Sequence, residues 1–151
     1  MDLQLRIADR TWPVLSKLMG GHAHVYRLTR GRIGHHIPGV PPMCLIDHVG
    51  AKSGTKRTSP LLYIEDGDNV VIVASKGGED THPAWYLNLL SKPEVQVDWR
   101  GEGFKPMVAS IATAAEKADL WPKIVAAYKG YGGYQKRTER DIPLVFLNAK
   151  K

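Results

Sequence analysis

One cysteine, Cys44, stands in a chain of 151 residues. An internal disulfide is therefore excluded, and the pattern fits a reducing compartment, so a cytoplasmic location is expected. Long apolar runs are missing, and no stretch approaches the length that spans a bilayer. Asp2, Arg6, Asp9 and Arg10 interrupt the apolar residues of the N-terminus, which argues against a secretory signal. There is no internal repeat, linker or low-complexity stretch. Acidic residues are the minority charge: 15 Asp and Glu against 21 Lys and Arg leave a formal charge of +6. That excess favours an anionic partner, whether a phosphorylated cofactor, nucleic acid or an acidic lipid surface.

Several catalytic signatures are also absent. The order and length of a nucleotide-binding phosphate loop are missing, as is the helix that follows one. No serine stands in a nucleophile elbow or near a readable His and Asp partner. His22 and His24, and the adjacent His35 and His36, have no cysteine or carboxylate at ligand spacing, so no metal site is expected. Aromatic residues do not alternate with basic ones and no nucleic-acid-binding motif appears, so nucleic acid is not expected as a partner.

What is present reads as one folded unit. The chain is 43% hydrophobic, enough to bury a full core. Leu3, Ile7, Trp12, Leu15, Leu18 and Met19 fall near helical spacing, which predicts an amphipathic helix over residues 3–19, kinked or divided at Pro13 and stopped by Gly20-Gly21. Residues 22–42 read as irregular. The period then changes to that of strands: Met43–Val49, Arg57–Ile64 and Asn69–Ala74, with Asp66-Gly67 as the hairpin turn between the last two. Pro83 suits the first turn of a short helix capped by Thr81 or His82 and ending near Ser91. Glu94–Trp99 and Phe104–Ile111 form a further strand pair. Thr113 and Glu116 match a capping box that opens a helix bearing Leu120, Trp121, Ile124, Val125 and Tyr128 on one side. Leu144–Leu147 is a last strand. Hairpin-joined strands with helices between pairs predict an α+β fold built on an antiparallel barrel, with residues 1–21 an N-terminal helix and residues 22–151 the barrel domain.

Two segments could carry chemistry. From Gly50 to Leu61, Gly50 and Gly54 allow a tight turn that exposes backbone N–H groups. Lys52, Lys56 and Arg57 supply charge, and Ser53 and Thr58 supply hydroxyl donors. The alternative is an ordinary solvated basic hairpin. The second segment, Ser75-Lys76-Gly77-Gly78, ends an apolar strand with a hydroxyl, a cation and two glycines, suited to presenting N–H groups to a planar ring or a phosphate. Trp85 and Asn88 follow one helical turn apart, a stacking wall and an amide, although Trp85 and Leu89 also suit a core. Tyr128, Tyr131 and Tyr134 recur every three residues beside Gly130, Gly132 and Gly133. That many glycines argue against a helix interior and for a mobile aromatic flap, or for a loop whose tyrosines pack on the barrel end.

The order Gly-x-Lys-Ser-Gly-x-x-Arg-Thr-x-Pro-Leu, Asp-Gly-Asp, Val-Ala-Ser-Lys-Gly-Gly, His-Pro-Ala-Trp-Tyr-x-Asn-Leu and Pro-Glu-Val resembles the deazaflavin-dependent nitroreductase family, which includes quinone reductases of actinobacteria. The likeness runs from about Leu28 to the C-terminus and extends to Trp121-Pro122, the tyrosine segment and Arg140-Asp141-Ile142-Pro143. It implies a split β-barrel and coenzyme F-420, an 8-hydroxy-5-deazaflavin with a ribityl phosphate and an acidic glutamate tail. By resemblance Ala51, Lys52 and Ser53 hold the phosphate region. Arg57, Thr58, Ser59, Pro60, Leu61 and Leu62 run along the ring and ribityl chain. Val73, Ala74, Ser75 and Lys76, with Ala84, Trp85, Tyr86, Leu87 and Asn88, complete the site, and Tyr131 closes on it.

The resemblance further implies hydride transfer to a quinone, nitroaromatic or activated enone, with Ser75, Tyr128, Tyr131 and Tyr134 as substrate-orienting candidates and no side chain as the redox group. Some relatives carry a tyrosine where this chain has Leu62 followed by Tyr63, so a more apolar acceptor pocket is expected. FMN is the alternative cofactor on the same architecture. A non-catalytic deazaflavin carrier and a nucleic-acid-binding protein are the remaining alternatives. The N-terminal helix has two uses open to it, docking on the protein body or peripheral contact with a membrane surface, where quinones partition.

Overall fold

The computed structural model describes residues 40–150. The N-terminal helix expected over residues 3–19, and all but the last few residues of the irregular stretch after it, lie outside the described residues. Six strands form a closed antiparallel barrel: β1 (Met43–Val49), β2 (Lys56–Asp66), β3 (Asn69–Val73), β4 (Glu94–Asp98), β5 (Lys105–Ile111) and β6 (Leu144–Ala149), in the order β1-β2-β3-β6-β5-β4. Among the described residues three α-helices flank it: α1 (Ala84–Ser91), α2 (Ala114–Ala127) and α3 (Gly130–Arg137). The strands fall where the alternation of apolar residues predicts them, within a few residues at each end.

Alternation along each strand builds two cores. Cys44 and Ile46 of β1, Val70 and Ile72 of β3 and Val145 and Leu147 of β6 face inward, where Tyr86 and Leu89 of α1 join them. The intervening residues Val71, Val73 and Leu144 face outward with Ile64, under Ile124 of α2 and Tyr131 of α3. That double burial explains why β3 reads as an unbroken Val/Ile run. Each such side chain contributes roughly 1.5–3 kcal/mol on burial.

The helices follow local chemistry in two cases and override it in a third. Thr113 Oγ1 accepts from Glu116 N at 3.2 Å while Thr113 N donates to Glu116 Oε2 at 2.7 Å, the expected capping box of α2. At α1 the cap is Pro83 itself, with extended ψ of 146° and no side-chain bond. The expected caps are engaged elsewhere: Thr81 Oγ1 accepts from Lys76 Nζ, and His82 Nδ1 faces Arg140 Nη1. The expected glycine flap is instead the helix α3. Two of its three glycines sit in close packing: a Cβ on Gly132 would lie 3.3 Å from Val125, and one on Gly130 would strike the Tyr128 ring at 2.5 Å. Packing on α2 therefore outweighs the roughly 1 kcal/mol that each glycine costs a helix.

Candidate functional site

The β1–β2 register pairs Val49 with Lys56, His48 with Arg57 and Asp47 with Thr58. The loop between is closed by Gly50 N to Thr55 O at 2.9 Å and Gly54 N to Gly50 O at 3.0 Å, with Gly54 at φ +67°. Lys52, Lys56 and Arg57 are exposed, and among the described residues none has a carboxylate partner. Ser53 Oγ accepts from Thr55 N at 3.2 Å and keeps its own proton. Thr58, expected as a free donor, donates its hydroxyl to Asp47, its cross-strand partner. The basic character of the hairpin therefore rests on the three cations and Ser53.

The strand-end turn is built differently. After β3, Ser75 is in the right-handed helical region (φ −76°, ψ −38°), and Lys76, Gly77 and Gly78 all have positive φ, of 46°, 65° and 82°. A right-handed residue followed by a left-handed one turns successive N–H groups toward a common point, an anion-binding concavity. Among the described residues the N–H groups of Ser75, Lys76 and Gly77 and the Ser75 hydroxyl have no hydrogen-bond partner, although Ser75 is buried. Arg140 takes the opposite side. Its Nη1 donates to Ala74 O at 3.2 Å, its Nη2 to Ser75 O at 2.9 Å and its Nε to Glu79 O at 2.8 Å. One guanidinium thus holds the carbonyls of the turn and leaves its N–H groups facing away. Gly78 packs so closely on α3 that a Cβ would lie 2.6 Å from Tyr134 O. Lys76 is not a free cation: it pairs with Glu79 at 2.9 Å.

Helix α1 connects the two segments. Asn88 is buried and makes two contacts: its Oδ1 accepts from Ala51 N at 2.9 Å, and its Nδ2 meets His48 Nδ1 at 3.1 Å. His48 Nε2 lies 2.9 Å from Ser59 Oγ. Asn88, expected to present its amide to a ligand, is committed to anchoring the hairpin loop. Trp85 is half-buried and packs on the interior core, Tyr86 is buried in that core, and Ala84 and Leu87 are exposed. Burial pushes the Tyr86 phenol up, with Arg140 opposing.

On β2, Arg57, Ser59 and Leu61 share the inward face, and Thr58, Pro60 and Leu62 share the outward face with Ile64. Tyr63 points inward and is 2% exposed, so it does not replace a tyrosine at position 62. Val73 and Ala74 are buried strand-end residues.

The three tyrosines form one cluster: ring centroids lie 5.1 Å apart for Tyr128–Tyr131, 6.4 Å for Tyr128–Tyr134 and 6.2 Å for Tyr131–Tyr134. Tyr131 is buried in the outer core, whereas Tyr128 and Tyr134 are half-buried. Burial, then a hydrogen bond with Tyr128, pushes the Tyr134 phenol up to about 12, and burial raises Tyr131 as well. Both phenols therefore hold their protons at neutral pH. His48 and Arg140 are the residues that sequence reasoning did not assign. Arg140 belongs to a motif the sequence singles out, but its partners lie about sixty positions upstream.

Three comparisons bear on identity. The family model described as F420H(2)-dependent quinone reductase matches residues 18–149. An F420H(2)-dependent quinone reductase of Mycobacterium tuberculosis (strain H37Rv) is 41% identical over 137 residues, covering 89% of this chain and 91% of the relative. Among solved structures, an F420-H2 dependent reductase (FDR-A) superposes with a TM-score of 0.64 at 38% identity, covering 71% of this chain and 94% of that one. A structure described as a domain-swapped dimer superposes at 0.67 and 32% identity, covering 84% and 96%. The barrel is accordingly the split β-barrel expected from the motifs, and the chain belongs to the F420H(2)-dependent quinone reductase family.

Proposed function

We propose that this chain binds reduced coenzyme F-420 along the β1–β2 hairpin, the Ser75–Gly78 turn and α1, and delivers its hydride to a quinone. The observation that carries the reading is a surface rich in donors without acceptors. Lys52, Lys56 and Arg57 have no carboxylate partner among the described residues, and the buried Ser75 hydroxyl and three turn N–H groups are left without acceptors. Ser75 is buried, and a buried donor without a partner costs free energy unless a ligand satisfies it; together with the half-buried turn N–H groups and the exposed cations the set suits an anionic, acceptor-rich molecule. Three exposed cations exceed what one phosphate needs and suit a phosphate with an acidic tail, which favours the deazaflavin over FMN.

Bound reduced deazaflavin supplies the hydride from its ring carbon. The residues of the chain bind and orient. Arg57 is placed to grip the phosphate with two parallel hydrogen bonds, with Lys52, Ser53 and Lys56 beside it. The Ser75–Gly77 N–H groups are placed to hold ring oxygens, with Trp85 alongside. Tyr128 and Tyr134, half-buried and hydrogen-bonded to each other, would leave one hydroxyl proton free to donate to the oxyanion that develops on the acceptor, while Tyr131 supports them from beneath. Leu62 gives that side an apolar surface, which suits a quinone better than a nitroimidazole.

Residues 22–151 form the cofactor-binding unit in this reading. Residues 1–21 are dispensable for cofactor binding, and their apolar sequence pattern suits peripheral contact with a membrane that holds the quinone. Among the described residues no helix is long and apolar enough to cross a membrane.

The test is anaerobic oxidation of reduced deazaflavin with a panel of quinones, nitroaromatics and enones. Protein-dependent oxidation by quinones is expected. Quinone reduction that proceeds with reduced FMN but not with the deazaflavin would overturn the reading.

A further inference from the structure

A backbone amide fixes the direction of every hydrogen bond in the buried chain that joins the hairpin loop to β2. An N–H can only donate, so the contact from Ala51 N at 2.9 Å requires the carbonyl oxygen of Asn88. The Nδ2 end of that amide then faces His48 Nδ1 at 3.1 Å, and an NH₂ group only donates. His48 must accept at Nδ1, so a neutral ring carries its single proton on Nε2, 2.9 Å from Ser59 Oγ. The imidazole donates and Ser59 accepts. The hydroxyl proton of Ser59 is therefore turned away from His48 and remains available.

The surroundings keep the ring neutral. Burial, and next the Arg57 guanidinium, lower its pKa, with Asp47 opposing. Among the described residues Asn88 from α1 and Ser59 from β2 are hydrogen-bonded to the ring, and Arg57 is its cross-strand partner. His48 is 3% exposed, so no solvent path competes with these partners.

We infer that His48 is a positioning residue for the cofactor: through Asn88 it anchors the Gly50–Thr55 loop, and through Ser59 it sets a hydroxyl as a donor toward an oxygen of the bound cofactor. The inference rests on the cofactor reading above. It adds a residue that touches no ligand, and it assigns Ser59 the role of donor and Asn88 the role of anchor.

Asn88→Asp provides a reversal. A carboxylate still accepts from Ala51 N with one oxygen, but its other oxygen draws the imidazole proton to Nδ1. His48 Nε2 then becomes an acceptor, and Ser59 must spend its proton on it. Ser59→Ala removes the hydroxyl without disturbing a buried charge, so one variant remains if the other folds poorly, as checked by circular dichroism.

Two readouts are needed. Nitrogen-15 NMR of the imidazole in cofactor-free protein, in alkaline buffer, reports the tautomer. Fluorescence titration with the deazaflavin reports affinity. The expected result is the Nε2–H tautomer in the wild type, the Nδ1–H tautomer in Asn88→Asp, and affinity about tenfold weaker in both variants, the loss of one ligand hydrogen bond. A wild type with the Nδ1–H tautomer, or both variants binding as tightly as the wild type, would overturn the inference alone. A wild type with the Nε2–H tautomer that does not bind the deazaflavin would overturn the cofactor reading, and the donor role of Ser59 with it.

Discussion

The hairpin loop and the strand-end turn both present positive potential, yet they are built in opposite ways. The Gly50–Thr55 loop and the start of β2 leave Lys52, Lys56 and Arg57 exposed and without carboxylate partners among the described residues, and α1 ties the loop at one point, Ala51 N to Asn88. The Ser75–Gly78 turn pairs its one cation with Glu79, gives its carbonyls to Arg140 and packs Gly78 against the backbone of α3. The first region offers charge on long side chains. The second offers backbone dipoles held rigidly. Mobile charge attracts an anionic tail at low cost in precision, whereas a planar ring that must give up a hydride needs fixed donors. The difference predicts that substitutions in the two regions fail differently, in affinity for the hairpin and in both stability and affinity for the turn.

The largest effect is expected at Arg140. Arg140→Ala removes a charged donor from three carbonyls, of which Ser75 O keeps Gly78 N at 2.8 Å, and should lower stability by about 3 kcal/mol, read from chemical denaturation, with a parallel loss of cofactor affinity. Arg140→Lys should recover less than half, because an ammonium cannot reproduce the fork that reaches all three carbonyls. An Arg140→Ala protein of unchanged stability would erase the contrast between the regions.

Arg57→Ala tests the other side. It should weaken cofactor binding by about 2 kcal/mol, measured by calorimetry, and leave the denaturation midpoint in place because the side chain is exposed. Unchanged affinity would make the arginine a solvated surface charge.

Gly133→Ala sharpens the finding that the tyrosine segment is a helix. A Cβ at this position meets nothing within 4 Å, and Gly133 is not among the glycines of positive φ. The substitution should raise stability by about 0.5–1 kcal/mol with quinone reduction retained. Lost turnover with unchanged stability would restore the flap.

The smallest effect concerns pH. Burial, then Arg57, lowers the pKa of His48; burial, then Arg140, lowers that of His82. Each group binds its proton less readily folded than unfolded, so the unfolded state gains protons first as pH falls. Their contribution to stability is complete above the ordinary histidine value near 6.5 and is lost progressively as pH falls below it toward the folded values. His48→Gln should flatten this part of the stability profile. A profile equally steep in the variant would place the titration elsewhere.

Most of the barrel was legible in the sequence because period-2 burial writes itself into residues such as Val70 to Val73, and the turn residues between strands are local signals. The basic hairpin was legible for the same reason. The helix of Gly130–Arg137 was not, since its formation depends on contacts of Gly132 with Val125 and of Gly78 with Tyr134, which no local propensity reports. The roles of Arg140, Asn88 and Thr58 were hidden for a related reason: each depends on a partner between eleven and sixty-six positions away. Residue types named the donors correctly. Only the fold shows which of them are already committed.

The most direct measurement is a side-by-side titration of the protein with the deazaflavin and with FMN, followed by fluorescence under the same buffer and salt. The account predicts tight deazaflavin binding and FMN binding at least about tenfold weaker, because one phosphate engages fewer of the three hairpin cations. FMN binding as tightly as the deazaflavin, or more tightly, would contradict it.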